Sequence, residues 1–425
     1  MGWIILAVAL AARLAAVLAT PGFEPVLDPA DYERHARSIA EGAGFPDALY
    51  APAGGPSALR PPTYPYFLGA VYAAAGPLGI DELWGARVVQ ALVGTLTVAL
   101  VGLVGRQLFS RRIGHVAMAI AAVFPPLVLT TTSLLSETLF VPLVLGSVAA
   151  VLRLRAGASA SRWAVVAGVL AGLAVLTRSN GAVILPALAV GAWNVPGVSW
   201  RSLRAPLVVL ATAAVTVLPW SVRNFVVLDE PVLVSTQAGY ALSGVYNDAS
   251  RDTDTHRGAF RPPAADPRLR PILARDLDEV ELERELRGAA RDYAIDHPSY
   301  VLEVAGLNAA RMLHLNDLSY SGLNARDVGL PEWLANAGVP ALWLVGLLSI
   351  VGALAQPARA APRWIWAVPL LLMSVVFVGG FIRYRAPVDP FLILLAAIGA
   401  STLRERWRAR GNADTGSPAT AAAPR

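Results

Sequence analysis

The residues best suited to chemistry are a few acids and a set of arginines that recur beside apolar runs. The stretch "VLDPADYERHARSIAEGAGF", Val26–Phe45, carries Asp28, Asp31, Glu33, Arg34, His35, Arg37 and Glu41 between two hydrophobic segments. Asp28 is the candidate general base, since a carboxylate fixed at a helix start can take a hydroxyl proton. Asp before Pro29, with Asp31 three residues on, reads equally well as an N-cap with proline at N1. Asp31 reads as a first-turn helix charge, with Tyr32 beside it on the apolar side. Glu137, in "TTTSLLSETLFVPL", reads as a first-turn acid behind a Ser136 cap, or as a second acid sharing the pocket of Asp28.

Arg60, Arg178, Arg223, Arg383 and Arg385 all fall near the ends of apolar runs. Snorkelling to headgroups accounts for one or two of them. Five at one depth point to a shared anion, and the planar guanidinium fork suits a phosphate. In "FIRYRAPVD", Arg383 and Arg385 lie two apart, so an extended turn points both one way, with Tyr384 opposite. With Arg223 behind "LPW" they are expected to close around a phosphate arriving sideways from lipid. Arg13 and Arg87 lie inside apolar runs, where an ionisable residue is a functional candidate by default.

The elements that must position these residues follow from composition. The chain has 425 residues, 55% of them hydrophobic and 15% charged, with a mean hydropathy of +0.53. That is too little polar surface for a soluble enzyme, so the fold class is an all-α polytopic membrane protein. Apolar runs near Gly2–Ala19, Trp84–Gly105, Ile113–Thr131, Thr138–Leu152, Trp163–Leu176, Gly181–Trp193, Ala205–Trp220, Gly338–Ala355, Trp364–Phe381 and Pro387–Leu403 predict about ten transmembrane helices. "MGWIILAVALAARLAAVLAT" lacks a basic head, so it is read as the first helix rather than a signal peptide. All 35 basic residues are arginine. Those in the connections at Arg106–Arg112, Arg153–Arg162, Arg201–Arg204, Arg359–Arg363 and in "RERWRARG" fall on one side under strict alternation. Positive charge marks that side as cytoplasmic.

Both termini are then inside, and Thr20–Leu83 and Asp229–Ala337 face outward. Residues 1–220 form an N-terminal transmembrane region holding the first outer loop (about 20–83), which carries the catalytic candidates. Residues 221–337 form a large extracytoplasmic segment, 338–403 the last transmembrane helices, and 404–425 a disordered cytoplasmic tail. In the first loop, Asp28–Glu41 and "RPPTYPYFLGAVYAAAG" read as interfacial helices, the second with an aromatic belt of Tyr64, Tyr66, Phe67 and Tyr72. The large segment is mixed: a strand-like "PVLVST", the charged helix "DEVELERELRGAARDYAIDH" and a helix near Ser299–Leu313. His35 is expected in solvent and His297 at a helix boundary.

Several chemistries are excluded. There is no cysteine and no lysine, so thiolate catalysis, disulfides, Schiff bases and a phosphate-loop lysine are out. No paired-histidine spacing indicates a metal, and no glycine-rich loop indicates a nucleotide. No cofactor is called for. The arginines are dispersed along short loops, which does not suit nucleic acid despite a net charge of +5.

The order of motifs carries a resemblance. One span is followed by the "D-x-x-D-Y" helix, "RPPTYP", "ARVVQALVG", "SETLF", "LTRSNGAVILP", "LPWSVRN" and "RYRAPVDPFLILLAA". This resembles the GT-C superfamily of polytopic glycosyltransferases, in the branch of protein O-mannosyltransferases and the bacterial lipid A aminoarabinose transferase. Where many relatives carry Asp-Glu, this chain has Asp28-Pro29. The resemblance implies a sugar donor linked to a polyprenyl phosphate, used at the outer face of the cytoplasmic membrane, with Asp28 as base and Glu137 as the second outer acid. It leaves a glycan, lipid or protein as acceptor, and one carboxylate nominee implies inversion by single displacement. A flippase for the same lipids would show internal repeats and a midplane site, and none is evident. A polysaccharide polymerase or ligase would also use outer arginines, but need not have the acidic first loop.

Overall fold

Segments rich in Leu, Ala and Val that leave water must satisfy their own backbone groups, and a helix does so within one segment. The computed structural model describes residues 1–157, 160–193, 195, 197–316 and 319–414. Among the described residues the regular elements are all helical, with no strand. The first half contains α1 (Gly2–Leu18), α2 (Asp28–Ala40), α3 (Thr63–Ala75), α4 (Glu82–Leu108), α5 (Arg111–Val123), α6 (Pro125–Leu129), α7 (Glu137–Arg155), α8 (Ala160–Thr177), α9 (Leu185–Ala192) and α10 (Trp200–Leu228). The second half contains α11 (Gln237–Ser243), α12 (Glu279–Asp296), α13 (Pro298–Met312), α14 (Ser319–Arg326), α15 (Val339–Leu354), α16 (Arg363–Leu372) and α17 (Asp389–Asp414), with shorter turns between. Side chains close several helix starts. Asp81 accepts from the Trp84 amide at 2.8 Å, and Asp278 forms a reciprocal capping box with Glu281.

Among the described residues, four helices are long and apolar enough to cross a membrane: Glu82–Leu108, Glu137–Arg155, Trp200–Leu228 and Glu332–Leu354. Gly2–Leu18, Ser161–Thr177, Ser179–Ala192 and Arg363–Phe377 are shorter apolar helices. The other expected spans are interrupted or extended. The run Ile113–Thr131 breaks at Phe124, because the Pro125 and Pro126 rings cannot donate backbone hydrogen bonds into a continuing helix. The run Pro387–Leu403 enters α17 at Asp389, and that helix continues to Asp414. The expected tail is therefore helical from 404 to 414, and residues 415–425 lie outside the described residues.

Three further expectations are corrected. "PVLVST" is not a strand, because α10 takes up its carbonyls. Trp220 Nε1 donates to Val234 at 2.8 Å, Ser221 Oγ to Leu233 at 2.6 Å and Asn224 Nδ2 to Val232 at 3.1 Å. Tyr64 and Tyr72 are buried rather than belted around a lipid face, and the Tyr64 hydroxyl donates to Gln90 at 2.7 Å. His35 is fully buried, its Nδ1 2.7 Å from the Asp31 carbonyl and its ring edge-on to Phe45.

The elements around the candidate site share one core. Phe23, Tyr32, Tyr64, Leu68, Leu134 and Leu135 pack with Val328 and Leu330, joining α2, α3, the turn before α7 and the loop after α14. Gly69 permits the close fit of α3 on α2, since a Cβ there would stand 2.6 Å from Ile39 Cγ2. That contact fixes the helix whose first residue is Asp28.

Candidate active site

Asp28 is not an N-cap. It opens α2 itself, the cap position falls to Leu27, and no side chain closes the helix start. Leu27 has φ of 47°, in the left-handed region that a branched side chain seldom adopts, so the backbone is strained just before Asp28. The carboxylate of Asp28 turns to arginine instead of to its own helix. Ser136 likewise does not cap α7; its hydroxyl lies 3.4 Å from Glu137 Oε2 and accepts from Arg178 Nη1 at 3.0 Å.

Acids and arginines alternate in one chain of contacts. Arg60, buried just ahead of the Pro61-Pro62 lead into α3, donates from Nε to Asp31 at 2.7 Å and from Nη2 to Asp28 at 2.6 Å. Its guanidinium lies 4.8 Å from the Tyr32 ring centre. Arg383 donates to the other Asp28 oxygen and holds its Nε 3.7 Å from Glu137 Oε1. Arg178 Nη1 stands 2.8 Å from the same glutamate oxygen, and its guanidinium lies 5.0 Å over the Tyr384 ring. The sequence Asp31–Arg60–Asp28–Arg383–Glu137–Arg178 thus balances three acids against three arginines. It draws on five separate segments, and Asp31 and Glu137 are buried while Asp28 keeps 29% of its side chain exposed.

Electrostatics follow the contacts. Burial alone would raise the Asp28 carboxyl, but the charges of Arg60 and Arg383 outweigh it and hold it well below the usual carboxylate range. Asp31 is also held low: burial would raise it, and the contacts from His35 and Arg60 prevail. Asp327, a residue with no signal in the sequence, belongs to the same field. Burial raises its carboxyl, with Arg383 pulling it down and Asp28 pushing it up.

Two of the expected arginines do not join the chain. Ile382–Arg385 forms a 3₁₀ turn rather than an extended one, so residues two apart diverge. Arg385 is buried, donates to Asp389 at 2.7 Å and also donates to the Met312 carbonyl. Arg223 donates to the Ser57 carbonyl at 2.7 Å and lies 4.7 Å over the Trp220 ring. Both have structural partners. Arg13 on α1 and Arg87 on α4 are buried as well, and Arg87 ties the Thr20 and Thr132 carbonyls together at 3.0 and 2.7 Å.

Beside Arg383 opens a cavity of about 100 Å³, walled by Leu129, Leu135, Leu330, Leu342 and Phe381 and edged by Arg383, Arg385, Ser321 and His314. Burial, aided by the Arg385 charge, pushes His314 down to about 4, so the imidazole is neutral there. The buried Arg383 Nε and Ser321 Oγ make no hydrogen bond among the described residues. An apolar chamber with cationic and hydrogen-bonding groups at one edge suits an amphiphile with an anionic head. Among the described residues no group of three or more His, Asp or Glu side chains is arranged to hold a metal ion.

The fold has known counterparts. The apo oligosaccharyltransferase of Archaeoglobus fulgidus superposes with a TM-score of 0.56 at 15% identity, covering 99% of this chain and 52% of that one. The chain has the GT-C fold. The same archaeal enzyme in complex with an inhibitory peptide and a dolichol-phosphate gives a TM-score of 0.53 at 14% identity, covering 99% and 52%. This chain spans about half the length of those structures. ArnT from Cupriavidus metallidurans bound to undecaprenyl phosphate gives 0.43 at 17% identity, covering 95% and 78%. The family model described as dolichyl-phosphate-mannose-protein mannosyltransferase matches residues 59–222. That stretch includes Arg60, Glu137 and Arg178 of the acid–arginine chain, while Asp28 and Arg383 lie outside it. No curated protein matches the chain.

Proposed function

We propose that this protein is a membrane glycosyltransferase that moves a sugar from a polyprenyl-phosphate donor to an acceptor hydroxyl at the outer face of the cytoplasmic membrane, with inversion. The observation that carries the reading is Arg383. It touches the Asp28 carboxylate on one side and edges the apolar cavity on the other, with its Nε making no hydrogen bond among the described residues. A lipid phosphate in that cavity would have its chain against leucines and its charge against a guanidinium. A dolichol-phosphate is what the archaeal oligosaccharyltransferase holds in one of its solved forms, and the proposal extends that ligand class to this chain.

In the free enzyme Asp28 is a poor base, because two arginines stabilise its charged form. An arriving phosphate competes for those arginines. As Arg383 turns towards it, the carboxylate loses a stabilising charge and its proton affinity rises. The acceptor oxygen then attacks the anomeric carbon while its proton passes to Asp28. The bond from that carbon to the phosphate oxygen breaks, and its electron pair departs on the polyprenyl phosphate. Arg383, with Arg178 and Arg60, offsets the charge gained there. Glu137 keeps Arg178 and Arg383 at the site. Attack from the side opposite the phosphate gives inversion.

In this reading the first outer loop and the large outer segment close over the outer leaflet, with both termini inside. The test uses purified protein in nanodiscs, polyprenyl-phosphate-linked hexoses and pentoses, and an acceptor fraction from the cell envelope. Release of polyprenyl phosphate by wild type, absent in Asp28→Asn, is the expected result. A folded wild type that neither binds polyprenyl phosphate nor releases it from any donor would refute the proposal.

A further inference from the structure

Five aromatic rings make successive contacts that end at the acid–arginine chain. Tyr50 stacks on Tyr240, with centroids 4.8 Å apart and planes at 17°. Tyr240 meets Phe260 at 5.8 Å, Phe260 meets Phe381 at 6.1 Å, and Phe381 meets Tyr384 edge-on at 5.3 Å. Tyr384 closes the line beneath Arg178 and Arg383, whose guanidinium carbons lie 5.0 and 5.7 Å from its ring centre. The rings come from four unrelated segments, so no helical period explains their alignment. Tyr240 and Phe260 back onto the two small cores of the outer segment, which fix them in place. Yet Tyr50 is 42% exposed and the other four are only partly buried. Tyr50 and Tyr240 also lie within the field of the acids, since the Asp28 charge reaches both.

A series of partly exposed rings bordering carboxylates and guanidiniums has a specific chemical complement. The C–H face of a sugar ring is apolar and slightly positive, and it stacks on the negative face of an aromatic ring. Its hydroxyls both donate and accept, which matches phenols, carboxylates and guanidiniums together. A lipid acceptor would call for aliphatic walls. A peptide recognised by strand addition would call for an open strand edge, which the described residues do not provide.

Resting on the glycosyltransferase reading above, we infer that the acceptor is a saccharide chain whose rings lie along Tyr50, Tyr240, Phe260 and Phe381. Its terminal hydroxyl then reaches Asp28 beside Tyr384. The aromatic line sets acceptor class, and the arginines handle the donor.

The two functions separate in one experiment. Full-length protein in nanodiscs is mixed with a panel of short gluco-, manno-, galacto- and arabino-oligosaccharides, and binding is read by saturation-transfer NMR. Polyprenyl-phosphate binding is measured on the same samples. Wild type should transfer saturation to the C–H protons of at least one saccharide series. Tyr50→Ala removes an exposed ring, and Tyr240→Leu removes a ring while keeping an apolar side chain. Each should weaken saccharide binding by about two- to tenfold and leave polyprenyl-phosphate binding unchanged. Tyr240→Phe should retain the saccharide. Absence of transfer to any saccharide by a wild type that binds polyprenyl phosphate would overturn the acceptor assignment alone. Unaltered saccharide binding in both ring-removing variants would overturn it too. Loss of polyprenyl-phosphate binding by wild type would instead strike the glycosyltransferase reading.

Discussion

Replacing Arg383 by alanine is the most direct probe of the site. Arg383 donates to Asp28, faces Glu137 Oε1 at 3.7 Å and keeps only 13% of its side chain exposed. The fold should survive, because Arg60 still pairs with Asp28 and Arg178 still pairs with Glu137. A charge-assisted contact to the lipid phosphate is worth roughly 1.5–3 kcal/mol. At about 1.4 kcal/mol per tenfold, Arg383→Ala should weaken polyprenyl-phosphate binding by roughly ten- to a hundredfold. Arg383→Lys should recover only part, since one ammonium cannot reproduce the fork. The pH profile supplies a second readout. The Asp28 carboxyl is depressed in the folded protein, so it stays ionised above its folded value and is lost as a base only when pH falls through that value. Removing one of its two cations raises that value towards the ordinary aspartate pKa. The acid limb of kcat/KM should therefore move to higher pH in Arg383→Ala. Affinity for polyprenyl phosphate in nanodiscs and a pH series of kcat/KM are the assays. Wild-type affinity together with an unmoved acid limb, in folded Arg383→Ala, would refute the reasoning.

Asp28→Asn removes the proton acceptor at nearly constant shape. It should lower turnover by about two to four orders of magnitude with polyprenyl-phosphate binding retained; near-normal turnover would leave Asp28 an ion-pair partner only. Arg385→Ala should act on stability instead, because it strands the buried Asp389, at a cost of roughly 3–5 kcal/mol. Thermal unfolding in detergent checks this, and a stable Arg385→Ala with impaired donor binding would return Arg385 to the site. Glu137→Gln should reduce kcat less than Asp28→Asn does, because Arg178 and Arg383 lose a charge partner but keep Asp28 and Ser136. Single cysteines at Ala53 and Asp254 should react with an impermeant thiol reagent on intact cells while one at Ala156 does not. The reverse pattern would invert the topology.

The sequence by itself determined the helices and the residue types of the site. Apolar runs bounded by Asp, Ser, Pro and arginine define segments such as Glu82–Leu108 and Glu137–Arg155, because helix formation in a dry environment is settled locally. The N-terminal acid of α2 and the arginines near span ends were legible for the same reason: a charge next to an apolar run is costly without a task or partner. Partner choice was not legible. Asp28 was ambiguous between a cap and a base. Only the fold turns its carboxylate onto Arg60 and Arg383, the latter from a turn near the other end of the chain. Arg383 and Arg385 were expected to face one way, and the 3₁₀ turn instead sends one to Asp28 and the other to Asp389. "PVLVST" has strand composition, but strands need a neighbouring edge, and here α10 takes its carbonyls first. The line from Tyr50 to Tyr384 has no sequence period at all. Its rings meet because four separate segments converge, and such long-range convergence is decided by packing rather than by any local pattern.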